Sequence, residues 1–137
     1  MNVAFVCVQN AGRSQMATAF AEREREQRGV EDEIEILTGG TQPADHVHEE
    51  VVRVMQENDI DLAETTPREI TPEELQEADY VITMGCSAHD VCPATWSGES
   101  RDWGLDDPDG QDVDRVREIR DEIEQRVSDL FDELSEQ

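Results

Sequence analysis

The chain is 137 residues long, the size of one ordinary domain, and it can bury a core without disulfide staples. Its 35 Asp and Glu stand against 11 basic residues, all of them arginine because lysine is absent, giving a formal net charge of -24. Such a surface excludes nucleic acid and anionic membrane as partners, and no stretch approaches the roughly 20 apolar residues of a membrane span.

Residues 3–8 form a near-continuous apolar run, Val3-Ala4-Phe5-Val6-Cys7-Val8, which predicts a central parallel strand covered on both faces. Ser14 to Arg28 follows as a helix, with Met16, Ala17, Phe20 and Ala21 at helical spacing and Gly29 as its stop. Ile34 and Ile36 alternate with Glu33 and Glu35, the pattern of a half-exposed edge strand, and Gly39-Gly40 ends it. Val47, Val51, Val52, Val54 and Met55 predict a second helix over 45–58. A short third helix opens at Thr71-Pro72-Glu73-Glu74, where Thr71 caps and Pro72 takes the first position. Tyr80 to Met84 is the next buried strand, and a weaker one is expected around Trp103-Gly104-Leu105. Val113, Val116, Ile119, Ile123, Val127, Leu130 and Leu134 then recur every three or four residues, as in an amphipathic closing helix. Strands alternating with helices give one α/β domain over residues 1–137, a four-stranded parallel sheet between two helix layers.

The charge reads as an adaptation to solvent and not as a site. At molar salt the Debye length shrinks to about 3 Å and the self-repulsion is screened, which suits a salt-filled cytosol of the kind halophilic archaea maintain. An acidic mesophilic protein is the plainer alternative, but it leaves the loss of lysine unexplained. No basic segment precedes an apolar core at the N-terminus, so a cytoplasmic protein is expected. Three cysteines, Cys7, Cys86 and Cys92, are an odd number for a reducing compartment and point to chemistry more than to a structural bridge.

In open parallel sheets ligands bind beyond the carboxyl ends of the strands, and the first strand-to-helix loop is the usual phosphate site. Here that loop reads Cys7-Val8-Gln9-Asn10-Ala11-Gly12-Arg13-Ser14. Backbone N–H groups of Val8, Gln9, Asn10, Ala11, Gly12, Arg13 and Ser14, turned inward, would cradle an oxyanion, helped by the positive end of the following helix. The same field favours a thiolate at Cys7 and makes it a nucleophile. Arg13 can grip two oxygens of a tetrahedral anion with its planar fork, Ser14 can donate to the sulfur, and Gly12 permits close backbone approach. The bland alternative is a buried structural cysteine with an unrelated surface arginine six positions on.

Cys-x5-Arg-Ser between the first strand and first helix, present as Cys7, Asn10, Arg13 and Ser14, resembles the motif of the low-molecular-weight protein tyrosine phosphatase superfamily. That resemblance covers the whole chain and implies its three-layer α/β/α fold. It also implies an Asp-Pro general acid before the last helix; Asp106-Asp107-Pro108-Asp109-Gly110 occupies that place, and Asp107 matches, with Asp106 as the rival. The fold serves both tyrosine phosphatases and thiol-linked arsenate reductases. Residues 81–93, with Cys86 and Cys92, resemble the redox segment of the arsenate reductase branch.

In that branch the resemblance implies a three-thiol relay. Cys7 attacks arsenate, Cys86 attacks Cys7 and releases arsenite, and Cys92 resolves the bond as Cys86–Cys92 for reduction by thioredoxin or a low-molecular-weight thiol. Many members place the first redox cysteine directly at the strand end and the pair seven apart; here Gly85 intervenes and the spacing is six, so which thiol attacks Cys7 stays open. Members that bind potassium near the loop often carry an acidic residue where this chain has Thr18, so that site is not carried over; no metal ligands and no cofactor are assigned. The phosphatase branch usually follows its Asp-Pro with aromatic residues. Asp109-Gly110 follows here, which favours a small inorganic oxyanion, arsenate or phosphate, over a flat aromatic ester.

Trp96 and Trp103 are read as core before substrate wall; His46 and His48 start the second helix, and His89, between the redox cysteines, is read as an exposed loop histidine before a modulator of a thiol. A metal site at Cys86, His89 and Cys92 would offer three soft ligands, but it lacks a fourth and ignores the Cys-x5-Arg loop. The favoured reading is a monomeric arsenate reductase; the runner-up is a phosphomonoester or phosphotyrosine phosphatase acting through a Cys7 phosphoenzyme, and a non-enzymatic oxyanion or redox sensor comes third.

Overall fold

A computed structural model describes residues 1–7, 10–40, 42–84, 99–103, 105 and 110–135, with main chain only at 72, 99, 100, 102 and 135. Four strands, β1 (Asn2–Cys7), β2 (Glu35–Gly40), β3 (Tyr80–Thr83) and β4 (Glu99–Asp102), form one sheet in the order β2-β1-β3-β4. All three pairings are parallel. The helices are α1 (Arg13–Arg28), α2 (Glu49–Gln56), α3 (Pro72–Gln76) and α4 (Val113–Ser135). The expected three-layer architecture with a four-stranded parallel sheet is therefore present.

The apolar run of β1 is explained by its central position, because alternate residues face different helix layers. Val3, Phe5 and Cys7 join one core with Met16, Phe20, Val51, Ile119 and Ile123, under α1, α2 and α4. Ala4 and Val6 join a smaller core with Ile70, Leu75, Ala78 and Val81, under α3. Trp103 is buried against Phe5, with ring centroids 5.9 Å apart, so it is a core residue as expected.

Local signals place the helix ends. Gly29 adopts a left-handed φ of 68° and its N–H returns to the carbonyls of Arg25 and Glu26, closing α1. Thr71 and Glu74 form a capping box on α3, each side chain accepting from the other's backbone N–H, with Pro72 in the first turn. Two boundaries differ from expectation. Helix α2 starts at Glu49 and not near residue 45, because His48 is its N-cap, with an extended-type ψ of 139°. Strand β4 lies at 99–102, ahead of the expected 103–105; Trp103 N–H bonds the Thr83 carbonyl just beyond it.

This topology puts the end of β1 between two neighbours whose connections diverge. The chain leaves β1 toward β2 on one side and reaches β3 on the other, so a crevice opens beyond Cys7.

Candidate active site

Cys7 is the last residue of β1 and is only 3% exposed. Its sulfur lies 2.8 Å from Ser14 Oγ in the first turn of α1, and the Asn10 backbone N–H donates to it at 3.2 Å. The bend that aims this N–H depends on Asn10 taking a left-handed φ of 52°, a conformation asparagine tolerates better than most residues.

The fully buried Asn10 side chain organises the loop. Its amide N–H groups donate to Ser14 Oγ at 2.8 Å and to Thr38 Oγ1 at 3.0 Å. Its carbonyl oxygen accepts from Gln15 Nε2 at 2.9 Å and from the Arg68 backbone N–H at 3.0 Å. A backbone N–H can only donate, so the amide orientation is settled by Arg68. Thr38 in turn donates its hydroxyl to the Phe5 carbonyl at 3.1 Å.

One consequence concerns the Ser14 proton. With the Asn10 amide donating to Ser14 Oγ, the serine hydroxyl hydrogen is left to point at the Cys7 sulfur. Two donors, the serine hydroxyl and the Asn10 N–H, thus converge on one sulfur, an arrangement that serves a sulfur carrying negative charge. Thr18 Oγ1 donates to the Ser14 carbonyl at 2.7 Å, which secures the same turn from behind.

The N-terminus of α1 faces this site. Gly12 is its N-cap and gives no side-chain cap, and the Ala11 carbonyl accepts the His48 N–H at 3.0 Å, which ties the loop to the start of α2. Arg13 Nη1 donates to the Leu105 carbonyl at 2.8 Å, which holds its guanidinium on the side where the chain leaves β4. That bond joins the loop after β1 to the segment that leads into Asp106-Asp107-Pro108.

Of the expected site residues, Cys7, Asn10, Ala11, Gly12, Arg13 and Ser14 come together. Val8, Gln9, Cys86, Cys92 and Asp107 lie outside the described residues, as do Asp106, His89 and Trp96. His46 is exposed and His48 half-buried; both lie ahead of α2, which opens at Glu49, and not in its first turn as the sequence suggests. Three contributors went unread in the sequence: Thr38, Gln15 and Arg68. Thr38 had a usable signal, since it immediately precedes Gly39-Gly40 at the carboxyl end of β2 and pairs in register with Phe5. Arg68 had none, because its bond to Asn10 comes from the main chain and spans 58 positions.

A family model described as low molecular weight phosphotyrosine protein phosphatase matches residues 2–137. The chain belongs to that family. A Halobacterium salinarum protein named "Putative arsenate reductase" is 66% identical over 131 residues, 96% of this chain and 91% of that protein. The solved thioredoxin-dependent arsenate reductase of Corynebacterium glutamicum is 33% identical with a TM-score of 0.78; the match covers 98% of this chain but 61% of that one. A structure named as an arsenate reductase in the phosphate binding state is 31% identical, with a TM-score of 0.80, and covers 96% of this chain and 97% of that one.

Proposed function

We propose that this protein reduces arsenate to arsenite, using Cys7 as the nucleophile. The observation that carries this is a buried cysteine at the end of β1, with two hydrogen-bond donors aimed at its sulfur and an uncapped helix N-terminus behind it. The same chain holds two further cysteines, Cys86 and Cys92, and the Halobacterium salinarum protein and the two solved structures described above are named arsenate reductases.

In this reading the Cys7 thiolate attacks arsenic, an oxygen leaves as water after taking a proton from Asp107 or Asp106, and a covalent Cys7–arsenic(V) adduct remains. A second thiolate, assigned to Cys86, attacks the Cys7 sulfur. The sulfur–arsenic bond breaks, its electron pair stays on arsenic, and arsenite departs as arsenic(III) while a Cys7–Cys86 disulfide forms. Cys92 then attacks Cys86 and frees Cys7, and the resulting Cys86–Cys92 disulfide takes two electrons from thioredoxin or a small thiol. Arg13 and the loop N–H groups hold the oxyanion through attack and departure.

Hydrolysis of a phosphomonoester through a Cys7 phosphoenzyme needs the same loop and acid, and the family's description names that activity. There Cys86 and Cys92 would serve only to protect Cys7 from oxidation and take no part in turnover. The separating experiment measures arsenite release from arsenate in molar potassium chloride with thioredoxin as donor, beside hydrolysis of an aryl phosphate. Multiple-turnover arsenite release that disappears in Cys7→Ser supports the proposal. Rapid aryl phosphate hydrolysis with no arsenite release refutes it.

A further inference from the structure

Arg68 sits on the surface, outside the loop that carries Cys7, yet it meets two of the groups that hold that loop. Its backbone N–H donates to Asn10 Oδ1 at 3.0 Å, and its guanidinium Nη1 donates to the Thr38 carbonyl at 2.8 Å. Thr38 is the same residue whose hydroxyl receives the Asn10 amide. The other arm of the guanidinium, Nη2, reaches both Glu74 oxygens at 2.9 and 2.7 Å. Burial alone pushes the Glu74 carboxyl up, but the bonds from Arg68 and Thr71 hold it below its ordinary value, so it is a charged partner at neutral pH.

The backbone around Arg68 is equally constrained. The Gly40 N–H donates to the Arg68 carbonyl at 2.9 Å and the Ile70 N–H to the Gly40 carbonyl at 3.3 Å, forming a parallel bridge at Glu69. The approach requires glycine at 39, because a Cβ there would stand 2.5 Å from Ile70 Cβ and 2.8 Å from its backbone nitrogen. Segment 68–70 is therefore laid tightly along the end of β2, and its outward side is pinned to the first turn of α3 through Glu74.

We propose that Arg68 and Glu74 form a clasp that positions the nucleophile: Glu74 fixes Arg68, Arg68 fixes the Asn10 amide, and Asn10 directs the Ser14 hydroxyl at Cys7. Arg68 is a positioning residue: its hydrogen bonds run to Asn10, Thr38 and Glu74 and not to the Cys7 sulfur. Only arginine meets the requirement, since a lysine ammonium cannot grip both Glu74 oxygens and the Thr38 carbonyl with fixed geometry. The competing view is that the Arg68–Glu74 pair merely stabilises α3. Glu74→Gln tells them apart, because glutamine still completes a capping box but no longer pairs with the guanidinium as a charge.

The inference rests on Cys7 being the nucleophile, and the test separates the two. In a Cys86→Ser/Cys92→Ser background Cys7 is the sole thiol, and its alkylation by iodoacetamide at pH 7 in molar potassium chloride reports its reactivity without turnover. Arg68→Ala and Glu74→Gln should each slow alkylation roughly three- to tenfold, the effect of weakening one charge-assisted hydrogen bond, while melting stays within a few degrees. Arg68→Lys should fall between them and the parent. Simple loosening of the fold would do the opposite, since exposing a buried Cys7 speeds its alkylation. With the path cut by Asn10→Asp, which keeps the acceptor for Arg68 but removes the donor to Ser14, adding Arg68→Ala should change the rate by less than about twofold. Parent-like or faster alkylation in Arg68→Ala, or equal slowing in both backgrounds, overturns the clasp. A parent whose Cys7 reacts no faster folded than unfolded overturns the nucleophile reading, and the clasp with it.

Discussion

Ser14→Ala isolates the hydrogen bond on which, in the proposed function, the reactivity of Cys7 rests. The substitution deletes the oxygen 2.8 Å from the sulfur and changes little else, since Ser14 is fully buried and alanine suits the first turn of a helix. A hydrogen bond to a charged group contributes about 1.5–3 kcal/mol, and about 1.4 kcal/mol is tenfold in rate, so thiolate reactivity should drop roughly 10- to 150-fold. The variant also orphans one hydrogen of the buried Asn10 amide, which costs the fold about 1–3 kcal/mol. Both quantities are measurable: alkylation of Cys7 and steady-state arsenite release for the first, denaturant unfolding in molar salt for the second. The two losses should appear together. Alkylation and turnover within twofold of the parent would refute the claim that the Ser14 hydroxyl serves the sulfur.

Three further outcomes follow from named features. The net charge of -24 predicts a lower melting temperature in dilute buffer than in molar potassium chloride, as the Debye length returns to about 10 Å at 0.1 M; equal melting would reject the salt-adaptation reading. Gly39→Ala should cost about 1–3 kcal/mol by overpacking against Ile70, seen as a lower denaturant midpoint, and should slow Cys7 alkylation as segment 68–70 shifts; parent-like stability would show that the segment yields freely. Hydrogen bonds from Arg117 and Arg120 lower the Glu57 carboxyl from 4.5 to about 2. A depressed folded value gives stability that is complete above 4.5 and is lost as pH falls toward 2, so the stability gap between parent and Glu57→Gln should close across that window in stepwise unfolding curves.

How much was legible depended on whether the determining contacts were local. Strand β1 and helix α4 were readable because burial on both faces of one, and on one stripe of the other, leaves a continuous run and a three-four repeat. The capping box at Thr71 and the stop at Gly29 were readable because the partners lie within five residues. The sequence suggests a longer α2 because Val47, four residues before Val51, is buried without being helical; it packs into the core from just ahead of the His48 cap. The sequence suggests a later β4 because Glu99-Ser100-Arg101-Asp102 is polar, whereas Trp103 and Leu105, which plug the core just after it, look more like a strand than the strand does. At the site, Cys7, Arg13 and Ser14 follow from the junction of a buried strand and a helix. Asn10 could be named as part of that loop but not as its organiser, since that role depends on Thr38 and Arg68, which lie 28 and 58 positions away.

The central claim, that Cys7 forms a covalent arsenic adduct released by an internal thiol, is tested most directly by trapping the enzyme midway. Cys92→Ser, fully reduced and then given excess arsenate in molar potassium chloride, should release about one arsenite per chain and stop, because the final thiol exchange is missing. Peptide mass analysis of the stalled protein should find Cys7 joined to Cys86 by a disulfide. Sustained arsenite release with thioredoxin as sole donor, and Cys7 recovered as a free thiol, would contradict the account.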